Sequence, residues 1–227
     1  MNAVLRLLVV DPSMVASEVE GASRVLAGWP GETRVVKPAL FRGDGPRPGD
    51  GYAADAVVVM GSAASVHDDL AWLRALAAWL RPLLDGSRPL PLLGLCFGHQ
   101  LIAHLAGAEV GFVHPDHHKE LGIRDSALDG GRLLPGRHQL RVVASHSEAV
   151  LVPPPGFRVV ARRGEMSGLV DGLEHESLPV FSFQFHPEAG LEFALRRGLD
   201  PAEVDDRVRA DGDRVLEAFR QLALDGS

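Results

Sequence analysis

Four short apolar runs punctuate the first hundred residues: VLRLLVVD (4–11), TRVVKP (33–38), DAVVVMG (55–61) and PLLGLC (91–96). They are rich in Val and Leu, lack a regular polar alternation and are mostly bounded by Gly, Pro or Asp, which predicts strands buried on both faces, as in a parallel sheet. Between the first two, Val15, Val19, Ala22 and Leu26 recur at helical spacing, predicting a crossover helix over 13–28 with Ser13 as its cap. Between the third and fourth, Leu70, Leu73, Leu76 or Ala77, and Leu80 predict a longer helix ending near Pro82 and Gly86. Strands alternating with helices predict βαβ units, whose ligand sites lie at the carboxyl ends of the strands. Gly61 and Cys96 occupy two such ends.

After about residue 110 the pattern changes. QLRVVASHSEAV (139–150), GFRVVARR (156–163), MSGLVDG (166–172) and LPVFSFQFHPE (178–188) are strand-like and separated by short turns, predicting an antiparallel extension of the same domain. VPPPG (152–156) reads as a loop inside that extension. From Leu191 the chain is charged and helix-prone. Asp200 and Pro201 suggest the cap and first turn of a final helix whose stripe of Val208, Val215, Leu216, Phe219 and Leu222 packs on the sheet.

Composition narrows the class. The chain has 227 residues, 46% of them hydrophobic, enough for a sizeable core, and is expected to form a single domain over 1–227 with 191–227 as a helical C-terminal segment. A single cysteine can form neither an internal disulfide nor a multi-thiolate metal site, so the default location is cytoplasmic. The first apolar run is too short for a membrane span and carries neither a basic leader nor a small-residue cleavage pattern. A net charge of −7, spread rather than blocked, gives no electrostatic footprint for nucleic acid or an anionic membrane. A small-molecule substrate is expected, with no cofactor; the oligomeric state is open.

The chemistry converges on the lone cysteine. GLCFG (94–98) has the form Gly-x-nucleophile-x-Gly at a strand-to-helix turn, where glycines permit a tight backbone and a helix N-terminus favours the thiolate. In FSFQFHPE, His186 and Glu188 are two apart in an extended segment, so the carboxylate can orient the imidazole as the third member of a triad does. The N–H of Phe97 and one near Gly61 are candidates for an oxyanion hole, each donor contributing roughly 3 kcal/mol to a tetrahedral intermediate. A structural reading stays open on the local sequence: Cys96 as a buried small hydrophobe, His186 bonded to backbone, Glu188 capping a helix. VHPDHHKELG places His114, His117 and His118 near Asp116 and Glu120, but Pro115 favours a loop and no metal site is expected. His99 and His104, on the helix after Cys96, are expected to support the backbone of the site.

Taken together and in order, VVVMGSAASVHDD, GLCFGHQ, ASHSEAV and SFQFHPE resemble class I glutamine amidotransferases, particularly stand-alone GMP-synthase-like domains, over about residues 55–190. The resemblance implies an α/β, flavodoxin-like three-layer sandwich and a Cys96-His186-Glu188 triad that hydrolyses the side-chain amide of glutamine through a γ-glutamyl thioester. It also implies that Gln100 and the backbone around Ser145, His146 and Ser147 hold the α-amino and α-carboxylate groups. The chain departs from the pattern in the oxyanion loop, where Met60, Gly61, Ser62 and Ala63 stand in place of two glycines and a proline. It departs again at Ser147 and Glu148, where Gly and Asp are common. No Gly-rich phosphate loop appears, so ammonia would pass to a separate synthetase or be released. Two alternatives stay open: a γ-glutamyl peptidase using the same acyl thioester, and a regulatory or ammonia-supplying subunit of a separate synthetase.

Overall fold

The four apolar runs form strands, and the reason is visible in their burial. In the computed structural model, which describes residues 4–46, 54–164 and 168–226, β1 (Arg6–Val10) is followed by α1 (Val19–Leu26), β2 (Glu32–Val36) and β3 (Ala56–Val59). Next come α2 (Ala71–Leu84), β4 (Leu92–Leu95) and α3 (Phe97–Leu105). Alternate residues of one strand serve opposite layers. Leu8 and Val10 pack with Leu76 and Leu80 of α2 and Ile102 of α3, while Leu7 and Val9 pack with Ala22 of α1. Both faces of each strand are covered, so near-continuous hydrophobicity is what the sandwich requires.

The second half adds β5 (Glu109–Phe112), β6 (Glu120–Asp129), β7 (Arg137–His146), β8 (Glu148–Val152), β9 (Phe157–Arg163), β10 (Val170–His175) and β11 (Val180–Phe183). A nine-stranded sheet runs β2-β1-β3-β4-β11-β10-β9-β6-β7, and β5 pairs with β8 in a separate two-stranded sheet. The first five strands are mutually parallel and the rest antiparallel. The parallel part has the flavodoxin-like order, with β11 in the fifth place. Helices α4 (Leu191–Arg197) and α5 (Asp206–Asp225) complete the chain. Val215, Leu216 and Phe219 of α5 lie in the core layer shared with α1, and Leu222 packs at its margin. Among the described residues no helix is long and apolar enough to cross a membrane.

Several expectations need correction. The run 178–188 does not belong to the antiparallel extension: β11 lies parallel to β4, pairing Val180 with Leu92 and Phe183 with Leu95. Its alternation misleads because Ser182 and Gln184 are buried polar residues, not solvent-facing ones. The run 139–150 is broken at Ser147, which turns the chain from β7 into β8 of the other sheet. Strands β5 and β6 were not legible as strands. Of the run 166–172, Met166 and Ser167 lie outside the described residues.

The first helix starts at Val19, not near Ser13. The cause is Asp11 at the end of β1, whose carboxylate accepts from the Ser13 N–H and hydroxyl, the Ser17 hydroxyl and the Glu18 N–H. Val15 is left 91% exposed in the resulting loop. The second helix spans Ala71–Leu84 and carries Pro82 in its last turn. Asp200 caps only a 3-10 turn, Pro201–Glu203; Asp205 caps α5 by accepting from the Val208 N–H. Glu20 of α1 accepts from the N–H groups of Leu191, Glu192 and Phe193, fastening the start of α4 to α1.

Helix α3 approaches the sheet at backbone distance. A Cβ on Gly98 would stand 2.2 Å from the carbonyl oxygen of Val59, and one on Gly94 would stand 2.6 Å from that of Gly98. Neither neighbour is a flexible side-chain end, so a methyl group must displace the helix or the strand. Gly98→Ala should destabilise the fold by about 1–3 kcal/mol, or more if neither element yields, read as a lowered urea midpoint with unchanged m-value.

Candidate active site

Cys96 stands between β4 and α3 at φ 50° and ψ −102°, a left-handed backbone that a non-glycine residue adopts only when its surroundings hold it there. Its N–H donates to Phe183 of β11 at 2.8 Å and its carbonyl accepts from Gln100 at 3.0 Å, so the strained residue is clamped at both ends. The side chain is buried at the head of α3, among N–H groups without intrahelical partners, and faces a cavity of about 350 Å³. The predicted turn is therefore present in the form that GLCFG suggests.

His186 lines the same cavity. It follows β11, and its N–H donates to Val143 at 2.9 Å, bridging to β7. Its Nδ1–H donates to Oε1 of Glu188 at 2.7 Å, and both residues are buried. Burial opposes a charge on the imidazole, but the Glu188 carboxylate and the Cys96 sulfur outweigh it and raise the pKa to about 10. Among the described residues, Nε2 of His186 has no hydrogen-bond partner. Phe193 of α4 packs on the ring at 4.6 Å, and Gly21 of α1 leaves room for the Glu188 side chain. The structure thus brings Cys96, His186 and Glu188 together.

Gly61 stands at the start of the loop after β3, where a Cβ would fall 2.8 Å from Cε1 of His186 and 3.6 Å from Cβ of Cys96. Only glycine keeps that space for the imidazole. The next residue, Ser62, anchors the loop: its hydroxyl donates to Pro12 at 2.7 Å and accepts from the Ala64 N–H at 3.2 Å. Ala63 lines the cavity, its methyl group occupying part of the wall. Phe97 is the first residue of α3 and its side chain is fully buried in the core, leaving its backbone as the part available to the site.

Gln100, Ser145, His146 and Ser147 all line the cavity. The Ser145 carbonyl lies 3.9 Å from the Cys96 sulfur. The His146 ring is already engaged: Arg124 donates to Nε2 at 3.2 Å, so Nδ1 carries the proton and donates to the Glu148 carbonyl at 2.9 Å. Burial, with Arg124 adding to it, lowers the His146 pKa to about 3. His99 is fully buried and bonded to the Ser182 hydroxyl at 2.8 Å, tying α3 to β11 as a support.

Residues to which the sequence reading gave no role line or adjoin this cavity. Asp68 and Glu148 are joined through Ser65, whose N–H donates to Asp68 and whose hydroxyl donates to Glu148. Lys119 and Arg197 supply positive charge to the lining. Gln184 lies against the sulfur, its Nε2 donating to Sγ at 3.7 Å. A signal for Gln184 existed in its alternation with Phe183 and Phe185 of the core, although the expected extended segment does not continue through Glu188: residues 187 and 188 lie in a turn closed by the Ala189 N–H on the His186 carbonyl. Arg124 had none, since β6 was not legible as a strand.

A family model described as glutamine amidotransferase class-I matches residues 50–194. Component 2 of anthranilate synthase from Archaeoglobus fulgidus is 36% identical over 137 residues, 60% of this chain and 64% of that protein. One subunit of the glutamine-hydrolysing GMP synthase from Thermococcus kodakarensis is 43% identical over 99 residues, 43% of this chain and 50% of that protein. The matches thus span half to just under two thirds of those relatives. An aminodeoxychorismate synthase from Streptomyces griseus is 35% identical over 191 residues, 82% of this chain but 22% of that protein. A crystal structure of a glutamine amidotransferase from Thermotoga maritima shares the fold, with a TM-score of 0.76 at 17% identity, covering 98% of this chain and 99% of the other.

The buried histidine beneath the site has a measurable consequence. Burial lowers the His99 pKa to about 3, whereas the unfolded side chain titrates near 6.5. Between these values the unfolded chain binds the extra proton, so the contribution is complete above about pH 6.5 and is lost as pH falls toward 3. Urea unfolding at pH 7, 6 and 5 should show a His99 contribution falling by about 1.4 kcal/mol per pH unit below 6.5, and His99→Gln should have the shallower slope.

Proposed function

The chain belongs to the class I glutamine amidotransferase family, and on that premise we propose that it is a cysteine hydrolase of γ-glutamyl amides, acting through Cys96, His186 and Glu188. The observation that carries the reading is the buried His186–Glu188 pair at 2.7 Å beside a cysteine held in left-handed backbone at a helix N-terminus. Thiolate Cys96 attacks the amide carbon and forms the C–S bond, with the oxyanion directed to the N–H groups of Gly61 and Phe97. The C–N bond breaks as Nε2 of His186 gives its proton to the departing nitrogen, releasing ammonia from glutamine. Water then adds to the γ-glutamyl thioester, losing a proton to the same nitrogen, and the C–S bond breaks to release glutamate.

Gln100 and the backbone at Ser145, His146 and Ser147 are assigned to the amino-acid head group of the substrate. The carboxylates of Asp68 and Glu148 on the cavity lining suit its α-ammonium. Residues 1–227 are assigned to one amidotransferase domain, with 191–227 as its helical end. Relatives named as component 2 of anthranilate synthase and as one subunit of GMP synthase support a separate synthetase as the recipient of the ammonia. A second reading, cleavage of γ-glutamyl peptides, is favoured by Lys119 and Arg197, which would receive a carboxylate on the leaving amine.

Ammonia release from glutamine, measured beside cleavage of γ-glutamyl dipeptides, separates the two substrates. Cys96→Ser and Cys96→Ala should abolish both reactions and remove labelling by a glutamine-analogue electrophile; hydrolysis retained in either variant overturns the assignment. Glu188→Gln should keep the fold and lower kcat by about 10²–10⁴, with little change in KM.

A further inference from the structure

We propose that Gln184 is a positioning residue that holds an N–H on the sulfur of Cys96 and takes its own alignment from Gln100. Gln184 is fully buried, and its backbone N–H donates to the Asp171 carbonyl at 2.9 Å, fixing the point from which the side chain extends. The carboxamide then meets two partners: Oε1 accepts from Nε2 of Gln100 at 3.2 Å, and Nε2 donates to the Cys96 sulfur at 3.7 Å.

The direction of this chain of bonds follows from its far end. Nε2 of Gln100 also lies 2.6 Å from the backbone carbonyl of Glu148, which can only accept. Turning the Gln100 amide over would set two carbonyl oxygens against each other, so its NH₂ must face Glu148 and Gln184. Gln184 must then present its oxygen to Gln100, leaving its NH₂ for the sulfur. A backbone carbonyl thus dictates, through two amides, that the sulfur receives a donor. A donor favours the thiolate over the thiol.

The opposite neighbour of the sulfur works the other way. The Ser145 carbonyl, 3.9 Å from Sγ, can accept only from a protonated thiol. The thiol therefore has a resting partner in Ser145, and the thiolate has one in Gln184. Both N–H groups of Gln100 are committed to this network, which leaves its Oε1 to accept from the substrate. The residue assigned to the head group and the nucleophile are joined through Gln184.

The inference rests on Cys96 being the nucleophile, but its test needs neither substrate nor synthetase. Cys96 is the only cysteine in the chain, so alkylation by iodoacetamide reports one thiol. The acidic inflection of the alkylation rate against pH should move up by about 0.5–1 pH unit in Gln184→Met, which has similar length and no donor. Gln184→Glu keeps the acceptor for Gln100, places an oxygen against the sulfur, and should also move the inflection up. Gln100→Leu, which frees the Gln184 amide to turn, should move it in the same direction by less. A folded Gln184→Met or Gln184→Glu protein whose inflection matches the wild type overturns the proposal, whatever happens to hydrolysis. Loss of hydrolysis in Cys96→Ser with the Gln184 shift intact would support the two assignments separately.

Discussion

The site depends on one backbone contact, the seating of α3 against the carboxyl ends of β3 and β4. Gly98 meets the Val59 carbonyl and Gly94 meets Gly98 with no room for a Cβ on either. With the helix that close to the sheet, the connecting residue has little choice of conformation and Cys96 takes up φ 50°. The strain at that residue, of order 1–3 kcal/mol, is maintained by packing around Phe97, Leu101 and Ile102, all buried in the core. The arrangement exposes the sulfur to a cavity while keeping the rest of the elbow dry.

A second constraint is register. Parallel pairing of β11 with β4 puts Phe183 beside Leu95, so the residues following each strand emerge at the same level of the sheet. Cys96 follows one strand, and Gln184 and His186 follow the other. The bridge from His186 to Val143 brings β7 to the same place, and the turn at Ser147 then sends the chain into β8 around the cavity. Three stretches distant in sequence meet at the cavity: the ends of β4 and β11 through their pairing in the sheet, and the β7–β8 turn through the bridge from Val143 to His186.

Much of this could be read from the chain, for identifiable reasons. Strands buried on both faces are continuous apolar runs, and the elbow and the His-x-Glu pair are local patterns. What escaped was polar structure serving burial. Ser182 and Gln184 looked like the outward positions of a half-exposed strand, yet one is bonded to His99 and the other to Gln100. Ser13 looked like a helix cap, but Asp11 captures it first. Strand β6 has few bulky apolar residues, and its Arg124 is neutralised by Asp171 at 2.6 Å, a partner 47 positions away. Such pairs are invisible to periodicity because their partners come from the fold.

The place of β11 also bears on how the protein is made. A strand from late in the chain sits in the interior of the sheet, between β4 and β10. Its pairing with β4 joins segments more than eighty residues apart, a loop closure that slows folding and leaves β4 with one open edge until β11 arrives. On a ribosome emitting roughly 5–20 residues per second, the cysteine-bearing elbow emerges seconds before the histidine and glutamate that face it. The Cys96 thiol is therefore translated before His186 and Glu188, and the last central strand both completes the sheet and brings those side chains to the cavity.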